Sequence, residues 1–182
     1  MTTITKLSEL TGDYTLDPAR TRVGFVARSI GVIRVRGYFG EFEGSSHLDG
    51  DDPGKSSTWL TIAATSIQTG NRQRDDHLRD RFLAAGSHPA ITFSLTKAAQ
   101  AGETSFKVTG DLSLRGVTRP VTMDVELTGA DSGQVTLTGK ARINRKDWAV
   151  NWTGALGTVS RQVTLDLEAA VIRDGIKART DR

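Results

Sequence analysis

The stretch from Asn71 to Phe93, NRQRDDHLRDRFLAAGSHPAITF, gathers the groups of this chain best suited to moving protons or gripping anions. Its first thirteen residues hold four arginines, three aspartates and His77 around Leu78, Phe82 and Leu83. Histidine titrates near neutrality, so His77 beside Asp75 or Asp76 has the makings of a general acid/base pair. The arginines offer planar donor forks to a phosphate or carboxylate. A third reading is a charged latch over an apolar surface, with the two signs satisfying one another. Taken alone, the stretch is compatible with all three.

Other signs of chemistry are sparse. No Walker loop, G-x-G-x-x-G, G-x-S-x-G or H-E-x-x-H string occurs, and no nucleophile accompanies His77. The chain has no cysteine, which excludes disulfides, thiol catalysis and cysteine-based zinc sites. His47, His77 and His88 have no ligand spacing, so no metal and no cofactor is expected. The DGDDPG string from Asp49 to Gly54 lacks the ordered ligand series of a calcium loop and reads as a hairpin turn. In RKDWAVNWTG, Trp148, Val150 and Trp152 alternate with Ala149, Asn151 and Thr153 as one face of a strand. With Lys140, Arg142, Arg145 and Lys146 nearby, base stacking is one reading of that row and a cavity wall is the other. The one-face alternation favours the wall. A net charge of +3 with interspersed signs does not demand a nucleic-acid partner.

Whatever these side chains do, strands must hold them. VTMDVELT alternates Val121, Met123, Val125 and Leu127 with polar residues. QVTLTGKARI does the same through Val135, Leu137, Ala141 and Ile143, and VTLDLEAAV through Val163, Leu165, Leu167, Ala169 and Val171. AITFSLTK and SFKVTGDLSL add Ile91, Phe93, Leu95, Phe106, Val108, Leu112 and Leu114. Such alternation describes antiparallel strands that are dry on one face and wet on the other. LDGDDPGKSS, AAQAGET, RGVTRP and TGADSGQ punctuate the runs as turns short enough for a meander. The count comes to about eight or nine strands. An open sheet of that size exposes two edges and an apolar face, so it must close into a barrel or fold over as a sandwich. The inward apolar face favours the barrel.

One helical break interrupts the strands. Leu78, Phe82 and Ala85 fall at i, i+4 and i+7, which predicts a short helix from Asp75 with one apolar stripe. Asp75 and Asp76 suit its positive end, Arg79 can pair with either, and Gly86 and Pro89 stop it. Such a helix could close one end of the barrel. The inward rows mix large residues (Phe25, Phe93, Phe106, Trp148) with small ones (Gly110, Gly139, Ala141), and those gaps are expected to leave room for a ligand.

The 182 residues suit a single domain, with a barrel over about 13–173 and tails at about 1–12 and 174–182. No run of 18 apolar residues marks a membrane span. The opening MTTITKLSELTGDYTL lacks a basic segment followed by an apolar run, so a cytoplasmic location is expected.

TLDPARTRVGFVARSIGVIRVRGYFGEFEG, RDDHL, HPAITF, GDLSLRGVTRPVTMDVEL and ARINRKDW follow one another in the order seen in YceI-like proteins. The resemblance runs from about Tyr14 to Ile172 and rests on the ordered combination rather than on any one string. It implies an all-β fold, an extended antiparallel lipocalin-like β-barrel of about eight strands with one or two short helices. It also implies a homodimer and a lumen that holds a polyisoprenoid, an isoprenoid quinone or a similar long lipid. The R-D-x-H-L string maps to Arg74, Asp75, His77 and Leu78, and the barrel strings to Phe39, Phe93, Leu112, Leu114, Val117 and Val121. Arg20-Thr21 stands where relatives commonly carry His-Ser.

Resemblance and alternation together place the ligand wall at Phe25, Val35, Phe39, Leu78, Phe82, Phe93, Leu112, Leu114, Val121, Met123, Val125, Trp148, Trp152 and Leu165. Arg28, Arg74 and His77 are the head-group candidates. The expected function is non-enzymatic carriage or storage of a long apolar molecule. Two alternatives stand beside it: a small hydrolase or isomerase using His77 on a lipophilic substrate, and an interaction domain that buries its apolar row against a partner.

Overall fold

Alternate side chains of an extended chain point to opposite faces, so each alternating run can share one apolar face with its neighbours. The computed structural model describes residues 6–29, 34–131, 133–150 and 159–175. Within them lie β1 (Gly12–Leu16), β2 (Arg22–Ser29), β3 (Arg34–Phe39), β4 (Phe42–Leu48), β5 (Ser57–Ala63) and β6 (Ile67–Gln68). They continue with β7 (Ala90–Gln100), β8 (Ser105–Leu114), β9 (Val117–Ala130), β10 (Gln134–Asn144) and β11 (Val159–Arg173). The second group is an antiparallel meander of long strands.

Closure depends on β11. Near its C-terminal end Val171 pairs with Leu16 of β1, while further back Leu165 pairs with Phe25 of β2. Thus β1 and β2 lie end to end along one side of β11, as one strand interrupted at Pro18, which has no N–H to give a ladder. The interruption repeats in the neighbours: β1 pairs with β4 and β2 with β3, then β4 pairs with β5 and β3 with β6. The ring β1–β4–β5–β7–β8–β9–β10–β11 closes on itself with eight strands, and β2, β3 and β6 extend three of its staves. The fold is the all-β barrel that the alternation predicts; the broken staves account for the larger number of segments.

The helical break differs from its prediction. Asn71 caps the helix by accepting from the Arg74 N–H at 3.0 Å, so α1 spans Arg72–His77 and starts earlier than Asp75. Asp75 is buried rather than set at an exposed positive end, and its carboxylate accepts from the Thr69 N–H (2.9 Å) and hydroxyl (2.5 Å). From Leu78 to Phe82 the coil widens to a π-helix, with the Leu83 N–H on the Leu78 carbonyl at 2.8 Å. That wider turn rotates the buried stripe onto Phe82, Leu83 and Ala85, with Leu78 packed at its edge. Ala84, at φ 47°, takes the left-handed position that ends the segment, not Gly86.

Two further segments depart from expectation. Over its described part, Trp148 to Val150, the predicted Trp148 row is not a strand. β10 stops at Asn144, whose side chain accepts from the Lys146 N–H at 3.1 Å and starts a 3₁₀ turn over Arg145–Trp148. Ala149 then adopts φ 58°, and Trp152 lies outside the described residues. The barrel begins at Gly12, as expected, but the predicted tail packs against it from Leu7 on. Leu10, in a 3₁₀ turn, is 4% exposed and clusters with Tyr14, Ala130, Val135 and Val171 at the β9–β10 hairpin end. Phe82 and Leu83 cluster with Val121 and Ile143 at the other end of the same two strands. The barrel therefore has an apolar plug at each end.

Tyr14 ties the N-terminal plug together. Its hydroxyl donates to the Leu10 carbonyl and accepts from Arg173 Nη2, both at 2.9 Å, and its ring lies under the Arg173 guanidinium. Tyr14→Phe leaves a buried carbonyl without its donor and should cost about 1–3 kcal/mol of stability. Urea unfolding followed by circular dichroism checks this; an unchanged midpoint would show that the hydroxyl contributes nothing.

Candidate functional site

The inward rows enclose an apolar cavity of about 580 Å³, within the range of small-molecule sites. Phe25 of β2, Val35 and Phe39 of β3, and Phe93 of β7 line it. So do Leu112 and Leu114 of β8, Met123 and Val125 of β9 and Leu165 of β11, and Leu78 and Phe82 reach it from the helical segment. Each of these strands is half-buried because its alternate residues face this space. A β-bulge between Leu95 and Lys97 shifts the phase of β7, so that Ala98 also faces inward.

The glycines do not act as the gaps that their size suggests. A Cβ on Gly110 would meet Phe93 Cζ at 2.3 Å, one on Gly37 would meet Phe25 Cζ at 2.3 Å, and one on Gly139 would meet Met123 Sδ at 2.5 Å. Large side chains therefore lie down over cross-strand glycines. The consequence is the same as a gap, reached differently: the rings lie flat on the wall instead of projecting into the lumen. Phe25 and Phe39 add a tilted ring pair at 5.8 Å.

Three predicted site residues stand off the cavity wall. Val121 is buried in the core cluster beneath the helical segment. Trp148 is 2% exposed and donates its indole N–H to the Leu112 carbonyl at 2.8 Å, because the 3₁₀ turn carries it behind the wall. His77 does not line the cavity either. Trp152 falls outside the described residues.

The charged stretch resolves largely as a latch. Arg79 donates to the Thr65 carbonyl (2.7 Å), to the Ile67 carbonyl (3.2 Å) and to Asp76 (3.0 Å), tying the helix to the β5–β6 turn. Arg74 donates to the Thr69 hydroxyl (2.7 Å) and carbonyl (2.8 Å) while still reaching the cavity wall, as Arg28 also does. In the DGDDPG turn, Asp49 accepts from the N–H groups of Asp51 (3.0 Å) and Asp52 (2.9 Å), and Asp52 accepts from Gly54 (3.1 Å). These are the local bonds of a hairpin turn.

The cavity also has a wall residue that figures in the sequence only as positive charge beside the Trp148 row. Arg145 is 6% exposed and lines the lumen. Its Nε donates to the Ser160 carbonyl at 3.1 Å and its Nη1 to the Val150 carbonyl. Burial lowers its pKa from the ordinary guanidinium value, and the nearby charge of Arg161 lowers it further. The signal was present in the alternation: Arg145 continues the inward parity of Val135, Leu137, Ala141 and Ile143.

A closed antiparallel barrel around an apolar lumen can hold a chain, and among the described residues no acid/base pair is assembled on its wall. The YceI-like domain model matches residues 14–171. The chain belongs to the YceI-like family. Protein YceI of Escherichia coli O157:H7 is 31% identical over 166 residues, covering 87% of this chain and 85% of that protein. A UPF0312 protein of Pseudomonas paraeruginosa is 31% identical over 172 residues, covering 90% and 88%. Among solved structures, Burkholderia cenocepacia BcnA superposes with a TM-score of 0.78 at 24% identity, covering 85% of this chain and 98% of that one. A polyisoprenoid binding domain from Saccharophagus degradans superposes with a TM-score of 0.73 at 17% identity, covering 88% and 98%. The YceI-like barrel is thus the fold of this chain. Among the described residues, no helix is long and apolar enough to cross a membrane.

The ring-over-glycine geometry has a measurable consequence. Gly110→Val must displace the Phe93 ring and should cost about 1–3 kcal/mol by overpacking. Gly86→Ala, where nothing lies within 4 Å of the added carbon, should stay within about 0.5 kcal/mol of the parent. Equal midpoints for the two variants in urea would refute the contrast.

Proposed function

We propose that this barrel binds and carries or stores a long apolar ligand in its lumen, a polyisoprenoid, an isoprenoid quinone or a lipid of similar shape, without transforming it. The observation that carries the reading is the apolar cavity of about 580 Å³ inside a closed barrel. Each methylene that moves from water into such a space contributes about 0.8 kcal/mol, so a long chain binds with few polar contacts. The polyisoprenoid binding domain from Saccharophagus degradans, with its similar barrel, supports the same class of ligand. A hydrolase or isomerase built on His77 gains no support, because His77 is not on the wall of the lumen. The family resemblance supports a homodimer.

Organic extraction and mass spectrometry of the purified protein should recover a long-chain lipid, and a stripped sample should take up an added prenyl lipid. Failure of both would remove the proposal. Leu114→Glu sets a carboxylate into the lumen wall, where an unpaired charge is strongly disfavoured. Uptake by a folded Leu114→Glu protein should fall by at least about tenfold, the equivalent of 1.4 kcal/mol.

A further inference from the structure

On the outer face of the barrel, register sets charged residues of neighbouring strands side by side, where opposite signs stabilise and like signs destabilise. One row runs through Asp166 of β11, Lys140 of β10, Asp124 of β9 and Lys107 of β8, with alternating signs. Lys107 pairs with Asp124 there at 3.5 Å. In the row on one side of it, Arg22 of β2 stands beside Glu168 of β11. On the other side the alternation stops. Arg36 of β3, Val26 of β2, Thr164 of β11 and Arg142 of β10 form a row that carries cations only. One step further, Arg28 of β2 faces Arg34 of β3 directly. Arg161 lies beside Arg28, in the irregular part of β11 between the residues that face Ala27 and Ser29.

Arg28, Arg34, Arg36, Arg142 and Arg161 are all exposed, and none of them forms an ion pair among the described residues. The turn after β10 adds exposed Lys146 and Asp147, whose charges balance. Part of the patch has a structural use. β3 pairs with β6 only at Tyr38 and Phe39, so Arg34 and Arg36 lie on an open edge, where charge discourages a further strand. Edge protection does not account for Arg28, whose strand has β3 on one side and β11 on the other, nor for Arg161, whose strand lies between β2 and β10. The patch also borders the lumen, because Ala27, Arg28 and Val35 line it. A long apolar molecule is driven out of water into a bilayer, so a barrel that takes one up has to meet a bilayer. Each exposed arginine near an anionic bilayer strengthens the attachment roughly fivefold.

We propose that Arg28, Arg34, Arg36, Arg142 and Arg161 form a docking face for an anionic lipid bilayer. Docking there sets the β2–β3 side of the lumen against the membrane from which the ligand is drawn. The choice of a bilayer over other polyanions rests on the lipid-carrying reading above.

The test is co-sedimentation of the full-length protein with vesicles of phosphatidylcholine alone and of equal parts phosphatidylcholine and phosphatidylglycerol. The parent protein should bind the anionic vesicles only, and added salt should release it. The Arg34→Gln/Arg36→Gln double variant should bind them at least about tenfold more weakly. Arg142→Gln/Arg161→Gln should lose a similar factor, and decides the matter if the first pair does not fold. Lys55→Gln/Lys97→Gln removes the same charge from the β4–β5 turn and β7, and should stay within about twofold of the parent because distant exposed charges are screened. Equal binding to both vesicles, or an equal loss in the lysine variant, overturns the docking face. Full vesicle binding by a first pair that now self-associates overturns it too, and leaves those arginines as edge protection. Tighter binding to a single-stranded oligonucleotide than to anionic vesicles overturns the bilayer as the partner. Uptake of a prenyl lipid from detergent solution, measured alongside, separates the two readings. Uptake without vesicle binding overturns docking and leaves carriage standing, whereas vesicle binding without uptake upholds the docking face and overturns carriage.

Discussion

The structure depends on one constraint: a sheet that is apolar on one face cannot remain open in water. Its edges expose unpaired N–H and C=O groups, and its dry face exposes side chains, so both must be covered by the same chain. Here both are covered by closure, and closure falls to β11, whose two ends pair with β1 and with β2. The broken staves follow from this. A long strand can accept two short ones in series, which lets the chain turn at Pro18 and at Gly40 without opening the ladder.

Closure leaves a choice between filling the interior and keeping it open. Protein cores ordinarily pack to the density of organic crystals, and a void forfeits contacts on its lining. This barrel keeps a lumen and limits that loss by laying Phe93, Phe25 and Met123 over Gly110, Gly37 and Gly139. The large side chains gain their contacts from the wall itself. The ends are treated in the opposite way, with Leu10 and Tyr14 at one and Phe82, Leu83 and Trp148 at the other all buried. An open middle between filled ends is the arrangement expected of a container.

The charged stretch that first drew notice serves this container more than any chemistry. Arg79 clamps the helical segment to the β5–β6 turn, Asp75 is taken up by Thr69, and Arg74 is oriented by the same threonine. Two of its carboxylates are thus partly neutralised by local donors, and Phe82 is delivered inward. The buried arginine on the lumen wall, Arg145, comes from a different part of the chain, the ARINRKDW string.

The alternation of Val121 to Leu127, Val135 to Ile143 and Val163 to Val171 determined by itself that this chain makes one-sided antiparallel strands that must close or fold over, and it favoured the closed barrel that the structure has. It was legible because side-chain direction in a strand depends only on parity. The ordered YceI-like strings were legible for the same region. What only the tertiary structure decided depends on turns and on partners far along the chain. The π-helical widening at Leu78 brought Leu83 into the buried stripe beside Phe82 and Ala85 and left Leu78 at its edge, and the cap at Asn144 turned Trp148 behind the wall. The N-terminal turn is a plug because Leu10 packs against Ala130, Val135 and Val171 and Tyr14 joins it to Arg173, all far along the chain. Whether a glycine makes a gap or a bed for a ring was likewise set by the facing strand, as with Gly110 and Phe93. Parity is a local property of the chain; which side chain covers which space is fixed by register across strands, and register exists only once the barrel has closed.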